Sequence, residues 1–310
     1  MGFSIKSLKT PLRYPGGKSR ACKKMDTYIP DLREYDSYYE PFLGGGSVAI
    51  HITKKYPHLH INVNDLYEPL YNFWIQLQSD GEALAGEIKD LKSTHSSPDL
   101  ARGLFNESKD IINDDTKSGL ERATAFYIVN KCSFSGLTES SSFSEQASNA
   151  NFSLRGITKL PAYSELISRW RITNHNYAGS MNETLFFRNR KHFIYLDPPY
   201  DIKDNLYGNK GSLHKRFDHD RFAKECCIMT TDMMVSYNSD QLILERFKGW
   251  AAAEYDLTYT MRSVGKYMKE QKNRKELLLL NYKPKPRAKI KFSYGECYNN
   301  TKLKKAGLTT

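Results

Sequence analysis

The feature that most constrains the fold of this chain is a strand, a glycine turn, a helix and a second strand, in that order, near its N-terminus. Residues 38–42 predict a strand that runs into the turn Gly44-Gly45-Gly46, and residues 48–56 predict a helix. The apolar alternation of residues 61–64 predicts the second strand, which ends on Asp65. This order is typical of one nucleotide-binding half of a doubly wound, Rossmann-like α/β sheet.

A third predicted strand, Phe193-Ile194-Tyr195-Leu196, runs directly into Asp197-Pro198-Pro199-Tyr200. Ligands of open α/β sheets bind at the carboxyl ends of the strands. Prolines have no N–H and fix the local backbone, so the carbonyls of this turn stay available as acceptors. A carboxylate, a free carbonyl and a flat ring form a set of acceptors for an amino group on a planar base. We therefore predict methyl transfer to an exocyclic nitrogen, with Asp197, Pro198, Pro199 and Tyr200 as catalytic residues.

The glycine turn and Asp65 together predict a site for an adenosine-containing cofactor. Gly44 and Gly46 let a ligand approach the backbone without obstruction by a Cβ atom. Asp65, about 20 residues further on, is placed to accept hydrogen bonds from ribose hydroxyls. These residues do not distinguish a dinucleotide from S-adenosylmethionine (AdoMet). Glu40-Pro41-Phe42 crowds the turn where a pyrophosphate needs room, which favours AdoMet.

The chain between the two strand-rich parts predicts an insert that is mainly helical. Apolar residues recur at spacings of three and four from residue 68 to about 126, and residues 99–113 form an amphipathic pattern. Residues 127–155, rich in Ser, Asn and aromatic residues, predict a long loop or hairpin. Alternation returns after residue 186, with helices predicted near 219–227 and 241–247 and strands at 226–230, 253–264 and 276–282. We expect a catalytic domain of residues 1–66 and 180–285, interrupted by an insert of residues 67–179, and a basic C-terminal tail of residues 286–310.

The net charge of +11 favours a polyanionic partner, and it is concentrated at the C-terminus. From Lys283 onward eight basic residues face a single acidic one, Glu296. The five cysteines form no C-x-x-C pair and the histidines have no metal-ligand spacing, so we expect no disulfide framework and no metal. Without an apolar run long enough for a signal peptide or a membrane span, the sequence favours the cytoplasm of a bacterial or virus-infected cell.

Five motifs occur in the order found in Dam-type, D12 class DNA adenine-N6 methyltransferases, and the chain resembles that family from about residue 12 to 282. In chain order they are segment 14–18 (YPGGK), segment 40–48 (EPFLGGGSV), Asn64-Asp65, segment 130–137 (NKCSFSGL) and segment 196–200 (LDPPY). Arg262-Ser263-Val264 followed by Lys275-Glu276-Leu277-Leu278 also fits the family. The resemblance implies AdoMet as methyl donor and double-stranded DNA as substrate. It also implies that the insert of residues 67–179 is the target-recognition, DNA-binding domain.

The resemblance also implies roles for individual residues. AdoMet contacts are expected at Tyr14, Gly17, Lys18, Phe42, Asp65 and Asp197, in addition to the turn glycines. Phe134 stands where the family has an aromatic that wedges into the base stack beside an extruded adenine. DNA contacts are expected at Lys131, Phe134, Leu137, Glu139 and Arg155, while Lys266 and Arg274, between two late strands, predict a hairpin that grips phosphates.

Glu139 is the main departure from the family pattern. GATC-specific members carry an arginine in this segment that reads guanine, whereas a glutamate can only accept, for example from cytosine N4. We therefore expect a recognition sequence other than GATC, with Lys131 or Arg155 as alternative readers. Methylation of cytosine N4 or of RNA, and a catalytically inactive DNA-binding relic, are the alternative functions. A monomer suffices for the reaction, and a weak dimer is compatible with the sequence.

Overall fold

The computed structural model describes residues 5–14, 16–134, 136, 141–187, 189–200, 217–256 and 275–283, in which seven strands form one mixed sheet. The strands are β1 (Ser37–Glu40), β2 (His60–Asn64), β3 (Arg171–Thr173), β4 (His192–Leu196), β5 (Asp232–Asn238), β6 (Ala251–Asp256) and β7 (Lys275–Leu280). Their order is β3-β2-β1-β4-β5-β7-β6. Strands β1 to β5 are parallel, and β7 lies antiparallel between β5 and β6. The predicted doubly wound α/β class is confirmed.

The central strands are buried on both faces, which explains the continuous apolar run Phe193-Ile194-Tyr195-Leu196 of β4. All residues of β1 and β4 are buried. Successive side chains of a strand point to opposite faces, so Phe193 and Tyr195 pack into one hydrophobic cluster while Ile194 and Leu196 pack into the other. The sheet therefore has a core on each side.

The helices divide between the two faces of the sheet and the insert. Those that flank the sheet are α1 (Cys22–Met25), α2 (Ser47–Lys55), α10 (Tyr177–Phe186), α11 (His219–Ile228) and α12 (Gln241–Arg246). Those of the insert are α3 (Glu68–Ser79), α4 (Gly81–Thr94), α5 (Pro98–Ile111), α6 (Gly119–Cys132), α7 (Glu145–Asn151), α8 (Leu154–Ile157) and α9 (Leu160–Ile167). Short 3₁₀ turns occupy Ile5–Ser7 and Leu32–Glu34.

Helix α6 is the central helix of the insert. It begins with a capping box, in which the Ser118 side chain accepts from the backbone N–H of Glu121 and Glu121 accepts in return. Its residues from Ala123 to Cys132 are all buried. Phe126 of this helix belongs to the same hydrophobic cluster as Phe193 of β4. The insert and the sheet thus share one continuous core.

Two of the predicted elements are wrong. Residues 127–155 are not a loop, because α6 continues to Cys132 and α7 and α8 follow; only a short antiparallel bridge between Ser133 and Phe143 resembles a hairpin. Two of the Ser residues that suggested a loop, Ser144 and Ser153, are instead the N-caps of α7 and α8. The strand predicted at 226–230 is also wrong: Cys226 lies on the buried face of α11, and the strand begins at Asp232.

The sheet takes one strand from within residues 67–179. Strand β3 pairs in parallel with β2 at the edge of the sheet, with Val63 opposite Ile172. It is only three residues long, which is too short for a periodic pattern to predict. The expected division into domains stays a prediction, but β3 itself is part of the sheet and not of the helical insert.

Candidate active site

The Asp197-Pro198-Pro199-Tyr200 turn follows β4 at the point where the strand order of the sheet reverses. Strand β4 pairs in parallel with β1, so the turn after β4 and the glycine turn after β1 emerge side by side at the same edge. The connections from β1 and β4 lead to opposite sides of the sheet here, which opens a crevice in folds of this kind. The two predicted parts of the site, 150 residues apart in the chain, are therefore adjacent in space.

A single lysine, from the segment that leads into α1, contacts the turn after β4. The ammonium of Lys18 donates to both oxygens of Asp197, at 3.0 Å and 2.9 Å, to the hydroxyl of Tyr200 at 2.7 Å and to the carbonyl of Gly16 at 3.0 Å. Its side chain is only 2% exposed, whereas that of Asp197 is 21% exposed. Burial alone would lower the pKa of Lys18, but the attraction of Asp197 and Glu276 outweighs it and raises that pKa above its usual range. Lys18 is therefore a cation that holds the Asp197 carboxylate in place.

Asp197 is held between two opposing influences. Burial raises the pKa of its carboxyl group, while the charge and hydrogen bonds of Lys18, followed by the hydroxyls of Tyr200 and Tyr195, lower it. The partial exposure of Asp197 leaves the carboxylate open on the side away from Lys18. It can accept a further hydrogen bond there, because a carboxylate has about four acceptor sites.

Glu276 completes the site, and sequence reasoning assigned it no role. It lies at the start of β7, and because β7 runs antiparallel to β5 this start falls at the same sheet edge as Asp197. The Tyr200 hydroxyl donates to the two oxygens of Glu276, at 2.7 Å and 3.0 Å, and the ammonium of Lys18 lies 3.8 Å away. Burial raises the pKa of Glu276 to about 7, although Lys18 opposes this shift. The available signal was a single acid that opens the run Leu277-Leu278-Leu279-Leu280.

The glycine turn needs glycine for two separate reasons. Gly44 and Gly46 have positive φ values of 50° and 66°, which side chains other than glycine rarely adopt. A Cβ atom on Gly44 would lie 2.8 Å from the Tyr14 ring, and one on Gly46 would lie 2.7 Å from the Trp74 ring. The Trp74 indole also donates to the carbonyl of Gly44 at 3.1 Å. Trp74, from the insert, and Tyr14 thus both pack against the glycine turn.

Asp65 lies at the end of β2 and ties the glycine turn to that strand. Its two oxygens accept from the backbone N–H groups of Gly44, at 2.8 Å, and Tyr67, at 3.0 Å. Burial raises the pKa of Asp65 to about 6, and these two donors oppose the shift. Each oxygen retains acceptor capacity toward a ribose hydroxyl, so that expected contact stays a prediction.

Phe42 and Gly17, two further residues predicted to contact the cofactor, have structural contacts of their own. The Phe42 ring stacks on Tyr177 of α10 with centroids 5.3 Å apart, so this predicted cofactor residue packs partly into the second core. The backbone N–H of Gly17 donates to the carbonyl of Tyr14 at 3.0 Å and closes the turn that leads into Lys18. Both residues therefore shape the segment that the resemblance assigns to the cofactor.

The segment after α6, in which DNA contacts are predicted, is held in place by hydrogen bonds to Arg13. The Asn130 side chain accepts from the Arg13 N–H at 2.9 Å and donates to the Arg13 carbonyl at 2.6 Å. The guanidinium of Arg13 donates to the carbonyls of Ser133, at 2.6 Å, and Phe134, at 3.1 Å. Phe134 itself is 49% exposed. An apolar ring is thus presented to solvent by a firmly anchored backbone.

The predicted DNA contacts differ in exposure. Lys131 is only 9% exposed and lies with its ammonium 5.1 Å from the centre of the Tyr127 ring, so it is not a surface lysine. Burial and the nearby Arg13 lower the pKa of Lys131 to about 7. Arg155, on α8, is exposed. The predicted contacts Leu137, Glu139, Lys266 and Arg274 lie outside the described residues.

Within the parts of the chain that the structure describes, no three His, Cys, Asp or Glu side chains come together as a metal site would require. In the same parts, no helix combines the length and the apolar character needed to cross a bilayer.

Comparison with known proteins identifies what this arrangement is similar to. Residues 14–261 match the model of the family described as D12 class N6 adenine-specific DNA methyltransferase. The chain is 24% identical over 209 residues to the type II methyltransferase M.MjaIII of Methanocaldococcus jannaschii, a match that covers 62% of this chain and 69% of that protein. It is 21% identical over 292 residues to the type II methyltransferase M.CviBI of Paramecium bursaria Chlorella virus NC1A, covering 89% of this chain and all of that protein.

Proposed function

Since this chain belongs to the D12 class of N6 adenine-specific DNA methyltransferases, we propose that Asp197 and the carbonyl of Pro198 are the acceptors that hold the adenine amino group. The expected family is confirmed, and the chain is a site-specific adenine DNA methyltransferase. The observation that carries the proposal is the Asp197 carboxylate, which Lys18 fixes at the sheet edge while one side stays open.

The chemistry requires acceptors rather than a strong base. The lone pair of the adenine N6 nitrogen is delocalised into the ring, so the amino group is a poor nucleophile. Two acceptors that each take one N–H favour the pyramidal nitrogen of the transition state, in which the lone pair is free to react. Because Lys18 holds the Asp197 carboxylate in one orientation, little reorganisation is needed at the moment of reaction. Tyr200 offers a ring against which the base can stack.

AdoMet, which the family implies, fits the charge balance of this site. When bound, AdoMet supplies a methyl group from a cationic sulfonium. Two carboxylates, those of Asp197 and Glu276, share the single ammonium of Lys18. When both carboxylates are ionised, the site therefore has an excess negative charge and favours a cation. We propose that Tyr14, Gly17, Lys18, Phe42, Gly44, Gly46, Asp65 and Asp197 form the cofactor site.

The DNA side of the proposal rests on the segment after α6. We propose that Phe134 enters the space left by an adenine extruded from double-stranded DNA, since its ring is exposed on an anchored backbone. Lys131 and Arg155 would contact phosphates or flanking bases, together with Leu137, Glu139, Lys266 and Arg274. We further propose a recognition sequence other than GATC, a monomeric or weakly dimeric enzyme that needs no metal, and a place of action in the cytoplasm.

The test is single-molecule sequencing of unmethylated DNA after incubation with the protein and AdoMet. We expect N6-methyladenine in one short context other than GATC. Asp197→Asn is the variant that tests the role of the carboxylate, because it keeps the shape of the side chain while removing the charged acceptor. We expect its single-turnover rate to fall by roughly 100- to 1,000-fold with DNA affinity nearly unchanged. Modified cytosine, or no modified base, would contradict the proposal, and a GATC context would contradict the reading of Glu139.

A further inference from the structure

Four side chains at the active site form one continuous line of hydrogen bonds that leads away from the reacting face. Lys18 donates to Asp197 at 2.9 Å and to the Tyr200 hydroxyl at 2.7 Å, and that hydroxyl donates to Glu276 at 2.7 Å. The line begins at Asp197, whose side chain is 21% exposed, and ends at Glu276, which is 1% exposed. The hydrogen bonds therefore connect Asp197, which the proposed chemistry uses, to Glu276, which it does not use.

The reaction has to dispose of one proton in each turnover. The new N–C bond is made with the nitrogen lone pair, the bond between methyl and sulfur breaks with its electron pair going to sulfur, and the nitrogen must then lose one of its two hydrogens as a proton. If the proposed function holds, the nearest charged acceptor for that proton is Asp197. A protonated Asp197 would no longer hold the amino group as a charged acceptor, so the proton is best moved on.

We propose that Glu276 is the residue at which this proton comes to rest, and that Lys18 and Tyr200 carry it there from Asp197. The proton leaves N6 for Asp197, and the N–H electron pair returns to nitrogen. Asp197 then gives a proton to Lys18 while Lys18 gives one to Tyr200 and Tyr200 gives its hydroxyl proton to Glu276. At the end Asp197 is again a carboxylate, Lys18 an ammonium and Tyr200 a phenol, and only Glu276 has changed.

The charges around Glu276 favour this outcome. The titratable groups that face it are Lys18, Asp197 and Tyr200, with Tyr255 opposite it in the register of β6 and Tyr195 beside Asp197. Two carboxylates share the one ammonium of Lys18, so protonation of Glu276 leaves that charge to Asp197 alone. Burial raises the pKa of Glu276 to about 7, which suits a group that takes up and releases a proton near neutral pH. Release follows the same route in reverse once the product has left, because Asp197 is the more exposed carboxylate.

The first test needs neither cofactor nor DNA. Infrared difference spectra of the protein alone, recorded while the pH is raised through about 7, should show the loss of a protonated carboxyl band from Glu276, in addition to any loss from Asp65, whose pKa is about 6. Glu276→Gln removes the carboxyl group but keeps an oxygen that accepts from Tyr200, so the loss near pH 7 should be smaller in the variant by one carboxyl group. A loss near pH 7 that is undiminished in Glu276→Gln would overturn the assignment of Glu276.

The second test is the pH profile of single-turnover methylation. In the wild type the rate should rise with pH through about 7 as Glu276 becomes a carboxylate able to accept the proton. In Glu276→Gln the rate should fall by about 100-fold, the order of an acid–base contribution, and lose this rise. Binding of DNA, measured separately, should stay within about two-fold, and so should binding of AdoMet below pH 7, where Glu276 is uncharged in the wild type as well. This result separates a relay from a general disturbance of the site.

A double-variant comparison guards against a purely structural effect. Tyr200→Phe interrupts the line but keeps the ring and Glu276. If both residues act in one relay, Tyr200→Phe combined with Glu276→Gln should be no slower than the slower single variant. Additive losses, or a wild-type rate and profile in Glu276→Gln, would refute the relay while leaving the proposed function intact. The absence of N6-methyladenine from wild-type reactions would instead refute the proposed function itself.

Discussion

Lys18 at the active site and Lys131 beside the recognition segment are almost equally buried, at 2% and 9% exposure, yet their surroundings are opposite. Lys18 contacts Asp197 directly, with Glu276 3.8 Å away, and the pKa of its ammonium is raised. Lys131 has the Tyr127 ring and the cation of Arg13 nearby, and the pKa of its ammonium is lowered to about 7. Burial by itself therefore says little about what a lysine does.

The difference teaches which of the two regions is complete in the free protein. The ammonium of Lys18 has its anions already in place, so the catalytic region is preorganised. No carboxylate pairs with Lys131 among the described residues, and a buried cation without an anion is costly unless it loses its proton. A DNA phosphate would supply the missing anion, so we expect the Lys131 region to reach its final charge state only on DNA.

Lys18→Met is expected to have the largest effect on the comparison, because it removes the cation between the buried carboxylate of Glu276 and the partly exposed carboxylate of Asp197. Removing one partner of a buried ion pair costs about 3–5 kcal/mol, so the free energy of unfolding at neutral pH should fall by that amount. Chemical denaturation measures it. Lys131→Met is the matched control: it breaks no carboxylate pair among the described residues and removes a cation that is costly to bury, so the free energy of unfolding should not fall. Equal losses in the two variants would show that the two lysines do not differ as described.

A smaller effect is expected on DNA binding, and here it is Lys131→Met that should lose affinity. If Lys131 meets a phosphate in the complex, Lys131→Met should weaken binding to specific and nonspecific DNA alike, by about 1 kcal/mol, and should reduce the slope of log affinity against log salt by about 1. Binding titrations over a range of salt concentrations would measure both quantities. An unchanged salt slope would mean that Lys131 stays neutral and structural in the complex.

The last expected effect is a pH dependence of stability that belongs to Lys131. Its folded pKa, about 7, lies below the ordinary lysine value of 10.5, so between these values the unfolded chain binds more protons than the folded one. The free energy of unfolding should therefore rise as the pH is raised from about 7 toward 10; this contribution is lost progressively as the pH falls from about 10 to 7 and does not change further below 7. Denaturation at several pH values would reveal this contribution as a slope difference between wild type and Lys131→Met. Identical slopes would contradict the lowered pKa.

Sequence reasoning located the parts of the site that local patterns define. The turn at Asp197, the glycine turn and Asp65 each follow a short apolar strand, and strand and turn preferences depend on neighbouring residues. The contacts between these parts were beyond its reach. Tyr200 and Glu276 are 76 residues apart and meet only because β7 runs antiparallel to β5. The burial of Lys131 depends on α6 continuing to Cys132, where the sequence predicted a loop.

The contact of Trp74 with the glycine turn bears on how such enzymes can acquire new specificities. The indole of this insert residue hydrogen-bonds the Gly44 carbonyl, and its ring fills the space beside Gly46. Trp74 belongs to the hydrophobic cluster that the insert shares with the sheet. If the glycine turn binds AdoMet as proposed, replacing the insert by one without a matching indole would remove this support, and such chimaeras should lose AdoMet affinity. Diversification is easier at exposed positions such as Arg155, where a side chain can change without disturbing the machinery that holds the methyl donor.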